Sequence, residues 1–228
     1  MTMQKAGLFG RVTCSTAVIC IFLLFASPGA AVAQEKITYG ATAKFLAGVA
    51  SAALIHEGAH ALVAGVTGTH MSWKPGNYNQ PIGFTEEAES DSRGVALYTS
   101  GLISQALTAE VILDVDRIDK NDAFVRGMMA WSIINPLLYV LDYWVIHSSN
   151  KEEGYTYQGD LKGLEHYSRA STANVFAAGM VAIAAFQGYR FLKTQTWGPD
   201  WLKQKEFDDI GVMPLPSGGA MVSYSYEF

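Results

Sequence analysis

Between Phe45 and Val66 the chain reads FLAGVASAALIHEGAHALVAGV, a run in which only His56, Glu57 and His60 can ionise. At a rise of ~1.5 Å per residue such a run is long enough to cross the ~30 Å hydrocarbon core of a bilayer as a helix. That limits the fold sharply. In lipid every backbone N–H and C=O must find its partner inside the segment, so a lone spanning element is helical. Ionisable side chains within it are costly unless they face a bundle interior or a wet cavity, which marks them as functional. The competing reading is a buried helix of a soluble protein whose histidines are hydrogen-bonded core residues. It leaves the neighbouring Glu57 unaccounted for.

The three ionisable residues form the pattern H-E-x-x-H, with the histidines four apart. On a helix this spacing puts both imidazoles on one face, about one turn apart, where they can share a tetrahedral Zn²⁺ with Glu57 over the remaining position. Neutral imidazoles hold the metal without cancelling its charge, the metal acidifies water, and the carboxylate takes the proton as that water attacks a carbonyl. The expected chemistry is that of a zinc metallopeptidase with Glu57 as catalytic residue.

The chain has 228 residues, half of them hydrophobic and 16% charged, which suits one domain richer in apolar surface than an ordinary soluble one. A net charge of −5 offers no basic field, and with no nucleic-acid motif in view, nucleic acid is not an expected partner. The amino terminus reads as an export signal. Lys5 and Arg11 precede the apolar run Ala17 to Ala26, and Ala31-Val32-Ala33 is a small-x-small site before Gln34. Residues 1–33 are thus a signal peptide, or a retained first transmembrane helix. Both cysteines, Cys14 and Cys20, fall within it, so a mature chain has neither a disulfide nor a thiolate ligand.

Three more apolar stretches, Gly94 to Val115, Met128 to His147 and Ala173 to Leu192, approach spanning length. The expected fold is therefore mainly α, a polytopic membrane helical bundle of about four helices. Residues 34–195 form its membrane-embedded domain and 196–228 a tail. A Gly/Pro-punctuated polar connection after the first helix, with Trp73, Tyr78 and Phe84, predicts a short β element at the membrane surface. Residues 147–172 read as a solvent-facing turn plus a short amphipathic helix. Met221 to Phe228 alternates like a strand and predicts pairing within the protein or with a protein partner. Such an aromatic ending resembles the last strand of outer-membrane barrels, but one strand makes no barrel. Lys and Arg are spread too evenly to orient the spans. The expected location is the bacterial cell envelope, at the inner rather than the outer membrane.

A third protein ligand is needed, and two carboxylates compete for the role. Asp142 follows Ile134-Asn135-Pro136-Leu137-Leu138-Tyr139-Val140-Leu141 in the third apolar stretch, where a carboxylate needs a reason to be. Glu110 begins an E-x-x-x-D pattern with Asp114, as in another zinc-peptidase lineage, the gluzincins. His70, His147 and His166 lie in polar or edge contexts and read as surface histidines.

Taken in order, His56-Glu57-x-x-His60 in an apolar helix, Ser100-Gly101-Leu102-Ile103-Ser104-Gln105, and Asn135-Pro136 through Leu141-Asp142 resemble the three motifs of the site-2 protease family of intramembrane zinc metallopeptidases. The second segment is similar to that family's A-G-P-x-x-N and the third to its N-x-x-P…L-D-G. The resemblance implies His56, His60 and Asp142 as zinc ligands, Glu57 as catalytic base, and Asn135 as a residue positioning substrate or water. Membrane-anchored proteins in the lipid bilayer would be the substrates. Leu102 and Gln105 stand where the family has Pro and Asn, and Tyr143 where Gly follows Asp. These departures keep a second reading open, a non-proteolytic membrane assembly or regulatory protein of the same fold. A gluzincin-like hydrolase using Glu110 is the third.

Overall fold

The computed structural model describes residues 38–73, 82–146, 159–198, 210–214 and 220–224. The expected export signal with its two cysteines, the middle of the connection after the first helix, His147, and the last four residues lie outside them. Helix α1 spans Tyr39–Thr67 and is followed by an antiparallel pair, β1 (Met71–Trp73) and β2 (Ile82–Phe84), in which Met71 faces Phe84. Helix α2 spans Asp91–Asp114 and α3 spans Ala123–Leu141, continuing as a π-helical turn over Asp142–Ile146. The short α4 (Asp160–His166) precedes α5 (Ala170–Thr194), and β3 (Ile210–Pro214) pairs antiparallel with β4 (Ala220–Tyr224). The fold is the mainly helical one expected, with the small hairpin after α1. The tail strand finds its pairing in β3.

Helix α1 starts where Thr38 Oγ1 accepts the N–H of Ala41 and stops at Gly68, whose left-handed backbone closes the last turn. Its buried residues, Phe45, Gly48, Ala52, His56, His60 and Ala64, recur every three or four positions and form one stripe. Apart from the histidines and Phe45 they are small. Gly48 lies against the backbone of Phe124 and Gly127 against that of Phe45, so α1 and α3 touch main chain to main chain. The opposite side of α1 carries Leu46, Leu54, Leu62 and Val66, all exposed and the last 81% so. In water this would be a large apolar patch; next to lipid it is an ordinary surface. Four helices, α1, α2, α3 with its π turn, and α5, are long and apolar enough to cross a membrane. The chain is a membrane protein by that measure.

Since α1, α2, α3 and α5 alternate in direction, the β1–β2 pair, α4 and the starts of α2 and α5 gather at one end of the bundle. There Leu161 and Leu164 of α4 join Leu97, Tyr98, Leu102, Tyr167 and Met180 in one apolar cluster. Tyr98 and Tyr167 stack at 5.8 Å, and the phenol of Tyr167 accepts the N–H of Ala88. A second cluster, with Met129, Ile133, Ala184 and Phe191, fills the other half. Thus α4, though short, is anchored by its two leucines on the inner side of the end that it covers.

Candidate metal centre

His56 and His60 lie on the buried stripe of α1, 2% and 5% exposed, with their Nε2 atoms 3.2 Å apart. The carboxylate that meets them is Asp160, the first residue of α4 and itself 6% exposed. Its Oδ1 is 3.2 Å from His60 Nε2 and its Oδ2 3.4 Å from His56 Nε2. Among the described residues these three form the one group of imidazoles and carboxylates placed to hold a metal ion. The distances can be tested. Four ligands placed tetrahedrally at ~2.05 Å from an ion are about 3.3 Å from one another. The three closest approaches, 3.2, 3.2 and 3.4 Å, are of that size, with Asp160 turning Oδ1 to His60 and Oδ2 to His56.

The surroundings favour a cation. A buried carboxylate needs a charge partner. Among the described residues Asp160 pairs with no Lys or Arg, and its Oδ2 accepts no hydrogen bond. His60 Nδ1 is 2.8 Å from the carbonyl oxygen of Leu97, which can only accept; Nδ1 therefore donates to it, and Nε2, turned into the group, is the atom a metal would take. Ser100 Oγ, 3.2 Å from the same nitrogen, donates to the same carbonyl. His56 is held otherwise: its Nδ1 is buried without a hydrogen-bond partner at close range, the Gln105 side chain and the Gly101 backbone adjoin its ring, and the ring is stacked on that of Tyr139 at 5.6 Å.

Helix α2 closes the group from a third side. A Cβ on Gly101 would run into the Nε2 atoms of both histidines, at 2.6 Å for His56. The position thus requires a residue without a side chain. One turn on, Gln105 is fully buried; its Oε1 accepts a hydrogen bond from Asn135 Nδ2 at 3.2 Å, and its own Nε2 has no partner. Glu57, partly buried beside His56, is near enough for its charge to act on His60 and Asp160.

The structure thus brings together His56, Glu57, His60, Gly101, Gln105 and Asn135 from the three segments singled out in the sequence, and adds Asp160. Asp142 is not in the group. It caps the C-terminus of α3, half-exposed, one turn beyond Tyr139, where the helix loosens into its π turn. Glu110 is not in it either. It lies nine residues along α2 from Gly101, about 13 Å by helical rise. Both its oxygens are taken, one by Arg190 Nη1 and the other by Gln187 Nε2 at 2.8 Å. His70 pairs with exposed Glu86 at 2.6 Å, and His166 lies 3.9 Å from Glu87, as surface histidines do.

Asp160 was missed because it lies in a polar stretch more than a hundred residues from His56. One signal was present. Gly159 precedes a short amphipathic turn, DLKGLEH, whose Leu161 and Leu164 demand burial and draw the adjoining carboxylate inward. Compared with protein-family models, curated proteins and solved structures, the chain matches none.

The group lies inside the bundle. His60 is seven residues from Thr67, so the site sits about 10 Å below the end covered by α4. That depth places it within a helix long and apolar enough to cross a membrane, toward one of its ends.

Proposed function

We propose that this protein is a zinc-dependent intramembrane endopeptidase of a bacterial inner membrane, cutting peptide bonds of membrane-anchored proteins. In this reading His56, His60 and Asp160 hold the metal and Glu57 is the catalytic base. The observation that carries it is a buried group of two imidazoles and a carboxylate whose ligand atoms all lie within 4.8 Å of one another, adjoined by a second carboxylate, with the imidazoles on a helix apolar enough to span lipid. Two neutral nitrogens and one oxygen suit zinc, and three protein ligands leave the fourth position open, as in catalytic rather than structural sites.

Zinc held there supplies Lewis-acid chemistry: it acidifies water and polarises a carbonyl. The chain's own residues do the rest. Glu57 accepts the proton of the attacking water and hands it to the leaving amine. Leu97 O and Ser100 keep the His60 ring turned so that its Nε2 stays aimed at the metal. The buried amides of Gln105 and Asn135, with one N–H pair unspent on Gln105, can donate to a substrate carbonyl. A transmembrane substrate must unwind locally for its carbonyl to reach this depth.

Glu110, spent on Arg190 and Gln187, does not support the gluzincin-like reading. The assembly-factor reading differs from ours in one measurable respect. In cells, membrane proteomics should show the same uncleaved membrane-anchored proteins accumulating in a deletion strain and in Glu57→Gln, while the purified variant keeps its zinc. If Glu57→Gln cells match wild type wherever the deletion does not, proteolysis is not the function.

A further inference from the structure

The two histidines of the metal group are supported unequally. His60 is held by a hydrogen bond to Leu97 O at 2.8 Å, whereas His56 Nδ1 has no hydrogen-bond partner. A metal-binding imidazole is usually oriented by what its second nitrogen donates to. Besides the Gln105 side chain and the Gly101 backbone, His56 has a ring against it. Tyr139, from α3, lies nearly parallel to it at 25°, with centroids 5.6 Å apart.

The same phenol ring faces the turn that leads into Asp160. A Cβ built on Gly159 would sit 3.5 Å from Tyr139 Cδ1 and Cε1, in ordinary van der Waals contact. Gly159 has φ 83° and ψ 153°, a conformation closed to other residues, and the next residue is Asp160. Tyr139 therefore stands between His56 of α1 and the turn that launches Asp160 from α4.

We infer that Tyr139 is a positioning residue of the metal centre, its ring face setting the orientation of His56 and the seat of Gly159 so that Asp160 meets both imidazoles. This rests on the metal-site part of the reading above and not on proteolysis. The ring face, rather than the hydroxyl, carries the effect, because the stack on His56 and the approach to Gly159 both involve ring carbons.

The experiment uses the full chain purified in detergent, loaded with Zn²⁺ for affinity by chelator competition and with Co²⁺ for its visible spectrum. Tyr139→Phe keeps the face and should match wild type in both. Tyr139→Leu keeps bulk but not the face; it should bind Zn²⁺ 10- to 100-fold more weakly, the usual cost of losing an outer partner of a metal ligand. Its Co²⁺ bands should shift, since the ligand geometry relaxes. A conserved far-UV spectrum and elution volume confirm that the Leu variant is folded; should it fail to fold, Tyr139→Met, which fills the space with a flexible chain, takes its place with the same expectation. Wild-type affinity and spectrum in the folded Leu or Met variant would overturn the inference. So would an equal loss in Tyr139→Phe, which would transfer the role to the hydroxyl. Zn²⁺ binding that survives His56→Ala at wild-type affinity would overturn the metal site itself, and this inference with it.

Discussion

Replacing Gly101 by alanine adds a single methyl group at the point where α2 faces the two histidines. The added carbon would lie 2.6 Å from His56 Nε2 and as close to His60 Nε2. Non-bonded carbon contacts settle near ~3.5 Å, so both imidazoles must retreat by about 1 Å. They are not free to do so. The His60 ring is tied to Leu97 O and the His56 ring is backed by Tyr139. Metal sites tolerate errors of about 0.2 Å in ligand position, and the displacement is several times that. Zinc affinity should fall by more than ~100-fold, about 2.7 kcal/mol. Stability of the fold should change little. Alanine favours helix over glycine by about 1 kcal/mol, against an overpacking cost of roughly 1–3 kcal/mol. The assay is zinc stoichiometry of the protein purified without chelator, with affinity by competition and a thermal melt alongside. A Gly101→Ala protein that melts normally and keeps wild-type zinc affinity would refute the placement of the histidine pair against α2.

Four further outcomes follow from particular contacts. Asp160→Ala, like His56→Ala, should strip the metal, whereas Asp142→Ala and Glu110→Ala should retain stoichiometric zinc; elemental analysis of the four proteins decides, and the reverse ranking would restore Asp142 or Glu110 as ligand. Glu57→Gln should keep zinc and lose turnover by orders of magnitude, checked by the same elemental analysis beside accumulation of uncleaved substrate in cells. Arg190→Met leaves Glu110 buried without its cation, so unfolding should be easier by roughly 3–5 kcal/mol while metal content, set at the other end of the bundle, stays unchanged. Hydrogen bonds from His70 hold the carboxyl of Glu86 below its ordinary value of 4.5. The pair therefore favours the folded state above that value, and its contribution is lost as pH falls through the depressed one; in a ¹³C titration Glu86 should return toward the ordinary value in His70→Ala.

What could be read from the chain alone was whatever depends on near neighbours. Apolar composition over some twenty residues determines that a segment spans, and four such segments are present as helices. The i, i+4 spacing of His56 and His60 determines that their rings share a face, because helical geometry is local. Gly48 and the small residues around it likewise permit a close helix neighbour. None of this says which neighbour comes close. That Gly101 backs onto the histidines, that Gln105 and Asn135 meet, and that Glu110 is claimed by Arg190 are outcomes of how the helices pack. The carboxylate that meets the histidines is the plainest instance. Asp142 carries the local marks of a ligand, a carboxylate closing an apolar helix, yet it sits at a helix end one turn too far along α3. Asp160 carries none of those marks. It reaches the histidines because Leu161 and Leu164 bury themselves in the bundle end and Gly159 can take a left-handed turn before them. A metal site needs three atoms within a few ångströms, and a chain can bring residues a hundred positions apart to that distance only through the packing of its whole core.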